Sequence, residues 1–189
     1  MTHGVLLAAG AGSRMGRPKA LVGDWLQRGV RALRDGGCER VLVVLGAESD
    51  RARQRLVDLD VDVVVAEDWE QGMGASLRAG LAALPADAEA ALVTLVDLPD
   101  VGAPVARRIL SAEGDLRRAT YDGRPGHPVL LARVHWEGVA ASAEGDRGAR
   151  DYLAGHEVTL VECGDLASGE DVDRLDLPQA ESNPGPTHR

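Results

Sequence analysis

The feature that most constrains this chain is a rhythm. Four short apolar runs, Gly4 to Ala9 (GVLLAA), Val41 to Leu45 (VLVVL), Val61 to Ala66 (VDVVVA) and Ala91 to Val96 (ALVTLV), are separated by longer segments. In those segments apolar residues recur every three or four positions. Runs of this length with little polar alternation suit strands buried on both faces. The pieces between them, Trp25 to Leu33, Ser49 to Leu59 and Ser76 to Leu84, set charged residues opposite their apolar stripe, as helices lying on a sheet do. The order βαβαβαβ with short connections predicts right-handed crossovers and a mostly parallel sheet with helices on both faces. The expected fold is therefore α/β: a three-layer αβα, Rossmann-like arrangement. Such sheets bind ligands at the carboxyl ends of their strands.

The rhythm changes after Asp97. A helix is expected from near Pro104, and a polar strand around Arg118 to Tyr121. GRPGHPVLLA follows, with Gly126-His127-Pro128 read as a rigid turn, then a helical piece from Val134 to Ala141 and a last strand from Val158 to Cys163. These read as an antiparallel extension of the same sheet. Residues 1–177 are expected to form one domain, and the polar, Pro-rich residues 178–189 a disordered tail.

Composition removes several functions. Thirty acidic against 21 basic side chains give a formal charge of −9, so no basic surface is offered to a nucleic acid. Aromatics are 3% of the chain, with no Phe, which leaves no stacking platform for single-stranded bases. No apolar run approaches the roughly 18 residues of a membrane span, and Met1 to Ala9 lacks the marks of a signal peptide, so a cytoplasmic protein is expected. Cys38 and Cys163 have neither zinc spacing nor the numbers for a disulfide framework and are expected to be buried thiols. Arg outnumbers Lys twenty to one, and the single lysine, Lys19, falls in a glycine-rich segment.

That segment, LAAGAGSRMGRPKAL (residues 7–21), begins where the first strand ends. Gly10 and Gly12 allow a tight turn whose N–H groups form a cradle, while Arg14, Arg17 and Lys19 add positive charge. A polyphosphate fits this design, although a Gly-rich surface loop has the same composition. A Walker A loop is excluded because no Gly-Lys-Ser/Thr exists. A dinucleotide GxGxxG fails because Met15 stands at the third glycine. Asp97, at the end of a strand, can hold a divalent ion or cap a turn. GMGAS (72–76) can approach a base or simply open a helix. Gly126-His127-Pro128 presents an imidazole that is either structural or catalytic. GDRGAR (145–150) can clamp an anion or face solvent, and Asp171 or Asp173 can supply a further carboxylate.

LAAGAGSRMGRPK, GMGASLRAGL, LVDLPDV, GRPGHPVLL and GDRGAR, in this order, resemble the MobA-like nucleotidyltransferases, and within them the molybdenum cofactor cytidylyltransferases. The resemblance runs from about residue 4 to 177. It implies transfer of a nucleoside monophosphate from an NTP, CTP in that subfamily, to a phosphorylated pterin-type acceptor (molybdopterin), with release of pyrophosphate. It further implies Ala8, Ala9, Gly10, Ala11, Gly12 and Ser13 on the nucleotide, Arg14 and Lys19 on its phosphates, and Glu67, Gly74 and Ser76 toward the base. Mg²⁺ would be held by Asp97, with Asp173 of DVDRLDLP in the place of the family's closing DIDTPEDL. Pro99, Gly126, His127, Pro128, Asp146, Gly148 and Arg150 would face the acceptor. Arg14, Lys19 and Asp97 would carry the catalysis, since joining two phosphates calls for cations rather than a protein nucleophile. A molybdoenzyme is the implied protein partner, and a monomer or weak dimer the expected state.

The chain departs from the family in the missing Thr-Pro-Glu of that closing motif and in a shortened excursion after Lys19. Two other readings follow. One is an NAD(P)H-dependent reductase of the nicotine blue type on the same scaffold. The other is a non-catalytic nucleotide-binding chaperone for molybdoenzyme maturation.

Overall fold

The computed structural model describes residues 1–173; the expected tail and the end of the closing motif lie outside the described residues. The first apolar run forms β1 (Thr2–Ala8), and β2 (Arg40–Leu45), β3 (Asp62–Val65) and β4 (Ala90–Leu95) follow at the other three. All four are parallel, with Gly4 paired to both Val41 and Leu92. β5 (Leu116–Tyr121), β6 (Arg124–Ala132) and β7 (Thr159–Glu162) complete a seven-stranded sheet in the order β3-β2-β1-β4-β6-β5-β7. β6 runs antiparallel to both neighbours, whereas β7 is parallel to β5.

Alternation along the strands divides the core into two layers. Leu6, Val43 and Leu92 point to one face, where α1 (Trp25–Gly36), α2 (Ser49–Gln54) and α4 (Ala103–Ser111) cover them through Leu26, Ala52 and Ile109. Val5, Val44 and Val93 point to the other, against Leu77 of α3 (Met73–Ala83), Val139 of α5 (Trp136–Ser142) and Leu153 of α6 (Arg150–Ala154). This is the three-layer αβα arrangement expected from the hydrophobic pattern. Leu6, Leu92 and Ile109 are fully buried, each contributing about 1.5–3 kcal/mol of burial. No helix among the described residues is long and apolar enough to cross a membrane.

Three local expectations are corrected. The second helix ends at Gln54 rather than near Leu59, because the chain turns there, with Leu59 N–H donating to the Leu56 carbonyl, before entering β3. Asp58 and Asp60 favour such turns over helix. α3 starts at Met73, three residues earlier than its apolar stripe indicates, because Gly72 at φ 106° ends the preceding turn. Gly126-His127-Pro128 is no turn: it lies inside β6, where a register shift opposite Arg118–Thr120 accommodates it and the His127–Pro128 peptide is cis. The turn sits one step earlier, at Asp122–Gly123, both with positive φ.

Strand order places the site. After β1 the chain moves one way to β2 and β3, and β4 adds on the opposite side of β1. The loop after β1 and the end of β4 therefore flank the point where the winding direction reverses, at the carboxyl edge of the sheet.

Candidate active site

Ala8 to Met15, leaving β1, line one wall of a cleft of about 410 Å³. Gly12 holds φ 60°, and a Cβ there would lie 2.0 Å from the Arg17 carbonyl, so the bend requires glycine. Gly10 is different: a Cβ on it would meet nothing within 4 Å, because it faces the open cleft. The opposite wall is Trp69, Glu70 and the start of α3, with Met73 and buried Ser76. Gly72 and Gly74 serve packing. A Cβ on Gly72 would lie 2.6 Å from Gly145, and one on Gly74 2.7 Å from the Ala143 carbonyl, so the two loops could not dock.

At the mouth, Asp97 lies two residues past the end of β4, its position set by Val96 N–H donating to the Leu7 carbonyl at 3.1 Å. The chain returning from β7 is pinned beside it by Val172 N–H donating to the Asp97 carbonyl at 3.0 Å. Asp97, Asp171 and Asp173 thereby bring carboxylate oxygens within 4.8 Å of one another. Lys19 Nζ donates to Asp97 at 2.5 Å and to Asp173 at 2.9 Å, and Arg14 donates to Asp173 at 2.7 Å. Burial alone would lower the Lys19 pKa, but its hydrogen bonds to Asp97 and Asp173 outweigh this and raise it. Asp173 is lowered, chiefly by the Lys19 hydrogen bond. Three carboxylates against two cations leave one formal negative charge over, and the donors are all hard oxygens. That combination fits a divalent ion such as Mg²⁺ or Mn²⁺.

A second cavity, about 550 Å³, adjoins the first and shares Arg14, Lys19, Asp97, Asp146 and Asp173 with it. It extends under β5 and β6 to Arg118, His127 and the loop carrying Arg147 and Arg150. The His127 carbonyl accepts from Tyr121 Oη at 2.6 Å, and Arg118 Nε donates to the Gly126 carbonyl at 3.1 Å. Burial, followed by the nearby Arg118 and Arg150 charges, pushes His127 down to about 4, so its imidazole is neutral at physiological pH.

Of the residues singled out in the sequence, Ala8 to Ser13 and Ser76 line the first cavity, Arg14, Lys19, Asp97, Asp146 and Asp173 line both, and Gly126, His127, Gly148, Arg150 and Asp171 line the second. The structure leaves others out. Glu67 is exposed and lines neither cavity; Trp69 and Glu70, just after it, stand on the cleft wall instead. Gly74 is packed behind the wall, and Pro99 and Pro128 are absent from both linings. Cys38 and Cys163 are buried and free, as expected. Trp69 and Arg118 were not foreseen, and Met73 only as part of GMGAS; the signal for Trp69 was an aromatic beside a Gly-rich helix start.

A Rossmann-like sheet with a glycine-turned loop and a carboxylate cluster at its winding reversal is the architecture of a nucleotidyltransferase. The comparisons agree: the MobA-like NTP transferase domain matches residues 4–160, and the chain belongs to that family. A nicotine blue oxidoreductase of Paenarthrobacter nicotinovorans is 38% identical over 189 residues, covering 92% of each chain. A probable molybdenum cofactor guanylyltransferase of Opitutus terrae is 39% identical over 125 residues, 64% of this chain and 56% of that protein. The crystal structure of Rv0371c from Mycobacterium tuberculosis H37Rv superposes with a TM-score of 0.77 at 28% identity, over 92% of this chain and 93% of that one. A manganese complex of Rv0371c matches at 0.72 and 28%, over 86% of this chain and 87% of that one.

Proposed function

We propose that this protein is a Mg²⁺-dependent nucleotidyltransferase. It moves a nucleoside monophosphate from an NTP, CTP on the sequence resemblance, to a phosphorylated pterin-type acceptor of the molybdopterin kind. The observation that carries this reading is the shared wall: two cavities meet at Lys19, Asp97 and Asp173, as a reaction joining two phosphate-bearing substrates requires. The tight bend at Gly12 sets loop backbone along the first cavity, where its N–H groups would meet the triphosphate, and open space before Gly10 would admit the nucleotide. An acceptor phosphate oxygen attacks the α-phosphorus, a new P–O bond forms, and the α–β bridging bond breaks to release pyrophosphate. The ammonium of Lys19 offsets charge gathering on the leaving group, and Arg14 supports it. Asp97, Asp171 and Asp173 would hold the metal, which when bound supplies Lewis-acid stabilisation of phosphate oxygens. The cytoplasm is the compartment this reading assigns.

The identity to nicotine blue oxidoreductase favours a second reading, NAD(P)H-dependent reduction of a quinone-type dye on the same scaffold. Two features weigh against it: Met15 at the third glycine position, and the separation of the loop from α1 by a 3-10 turn at Lys19–Leu21, so that no helix N-terminus follows the loop directly. The test is pyrophosphate release from CTP, GTP and ATP with Mg²⁺ and molybdopterin, run beside NADPH oxidation with nicotine blue. Pyrophosphate formation that depends on acceptor supports the proposal. NADPH oxidation without it replaces the proposal with the reductase.

A further inference from the structure

After β7 the chain runs as a strap, residues 163–173, that sets Asp171 and Asp173 beside Asp97. Past a turn in which Leu166 N–H donates to the Cys163 carbonyl at 2.9 Å, the strap has neither helix nor strand to stiffen it. Its course must be fixed by contacts along its length, against the entropy of an irregular segment. Three contacts do this. Val172 N–H donates to the Asp97 carbonyl at 3.0 Å. Further back, Ser168 N–H and Oγ–H both donate to Oδ2 of Asp100, each at 2.7 Å. Between them Gly169, at φ 66°, lies against the Tyr121 ring, where a Cβ would come within 2.1 Å.

Asp97 and Asp100 belong to one turn, in which Val101 N–H donates to the Leu98 carbonyl at 3.1 Å and the Leu98 and Val101 side chains are buried. The turn that presents the Asp97 carboxylate therefore grips the strap at two points, and Asp171 and Asp173 flank the second. Asp100 itself lines neither cavity, and among the described residues its carboxylate makes no ion pair and hydrogen-bonds only Ser168. Such a grip is needed because carboxylates brought within 4.8 Å of one another repel. Lys19 and Arg14 offset this at Asp97 and Asp173, but among the described residues no cation pairs with Asp171.

We propose that Asp100 is a positioning residue for the divalent ion: by holding Ser168 it keeps the strap on course, so that Asp171 and Asp173 meet Asp97 before the ion arrives. This rests on the reading of the three carboxylates as the metal seat. The charged oxygen of Asp100 makes the two bonds stronger than a neutral acceptor would, although an amide oxygen can accept both.

The test is calorimetric titration of Mn²⁺ into the full chain, with Asp97→Asn as the reference for the seat. Asp100→Ala should weaken Mn²⁺ about 10-fold, at the lower end of what residues that orient metal ligands typically contribute. Asp100→Asn should recover most of the affinity, and Ser168→Ala, which leaves every charge in place, should fall between wild type and Asp100→Ala. A loss due only to the missing negative charge would instead be equal in Asp100→Asn and Asp100→Ala. Amide exchange followed by NMR without metal should quicken at Val172 in Asp100→Ala while the amides of β4 hold, which also shows that the variant is folded. Mn²⁺ affinity in Asp100→Ala equal to wild type, Asp100→Asn as impaired as Asp100→Ala, or a Val172 amide exchanging at the parent rate overturns the proposal. Mn²⁺ binding that Asp97→Asn leaves intact, with Val172 still responding to Asp100→Ala, instead removes the metal seat on which the proposal rests.

Discussion

The two cavities are built by different means. The first sets the small residues Ala8 to Ser13 on one side against Trp69, Glu70 and Met73 on the other, and its basic groups are matched, Lys19 by Asp97 and Asp173 and Arg14 by Asp173. The second is walled by side chains of β5, β6 and the loop before α6, and holds Arg118 and Arg150 unmatched. On the proposed function this difference would divide recognition: the glycine-turned loop would meet the triphosphate, side chains of the second cavity the acceptor, and the matched cluster between them both substrates.

Removing the shared element should have the largest effect. Lys19→Ala should slow turnover about 10²- to 10³-fold, a barrier increase of about 2.7–4 kcal/mol, because no other lysine exists to stand in. Steady-state kinetics with saturating nucleotide check this, and turnover at the parent rate would dissolve the shared wall. Gly12→Ala sharpens the comparison from the first side. The added Cβ collides with the Arg17 carbonyl in a backbone region costly to a non-glycine residue, so the loop must rearrange at a cost of about 1–3 kcal/mol. Nucleotide affinity measured by calorimetry should fall, while a thermal unfolding scan shows the variant still folded.

The smallest effect is confined to the second side. Glu162 accepts from Thr120 Oγ1 at 2.8 Å and from the N–H groups of Asp122, Gly123 and Gly164, tying β7 to the β5–β6 turn. These bonds, the Thr120 hydroxyl foremost, hold its carboxyl down at about 2. A depressed folded-state pKa contributes stability that is fully present above the ordinary value of 4.5 and is lost as pH falls toward about 2. Glu162→Gln should therefore lower Tm at neutral pH, and thermal unfolding scans of variant and wild type should converge between those two pH values. A Tm difference that persists undiminished at the acid end would show that the charge is not what Glu162 contributes.

Legibility differed between the two regions for a physical reason. β1 to β4 are continuous apolar runs, and burial on both faces leaves that mark in the sequence without help from distant residues. The loop after β1 was legible because Gly12 must solve a local backbone problem. Asp97 was legible because it ends a strand, and Asp171 and Asp173 because their acidic segment stood out, although their convergence on Asp97 depends on long-range bonds, from Val172 N–H to the Asp97 carbonyl and from Lys19 to both Asp97 and Asp173. Arg118 was read only as part of a polar strand, since nothing local shows that the strand's neighbour carries His127 and that a loop near residue 150 closes over both. Gly72 and Gly74 were read toward a base, but the loop they accommodate lies some 70 residues further on, beyond the reach of local patterning. Glu67 was off by the short turn that puts Trp69 and Glu70 on the wall in its stead.

The carboxylates at the junction are expected to bind a divalent cation together with a nucleotide. The most direct test is titration of Mn²⁺ followed by electron paramagnetic resonance, with and without CTP or GTP, on wild type and Asp97→Asn. Mn²⁺ binding should be strengthened by nucleotide in wild type and largely lost in Asp97→Asn. Mn²⁺ binding that is indifferent both to nucleotide and to the Asp97 substitution would contradict that expectation.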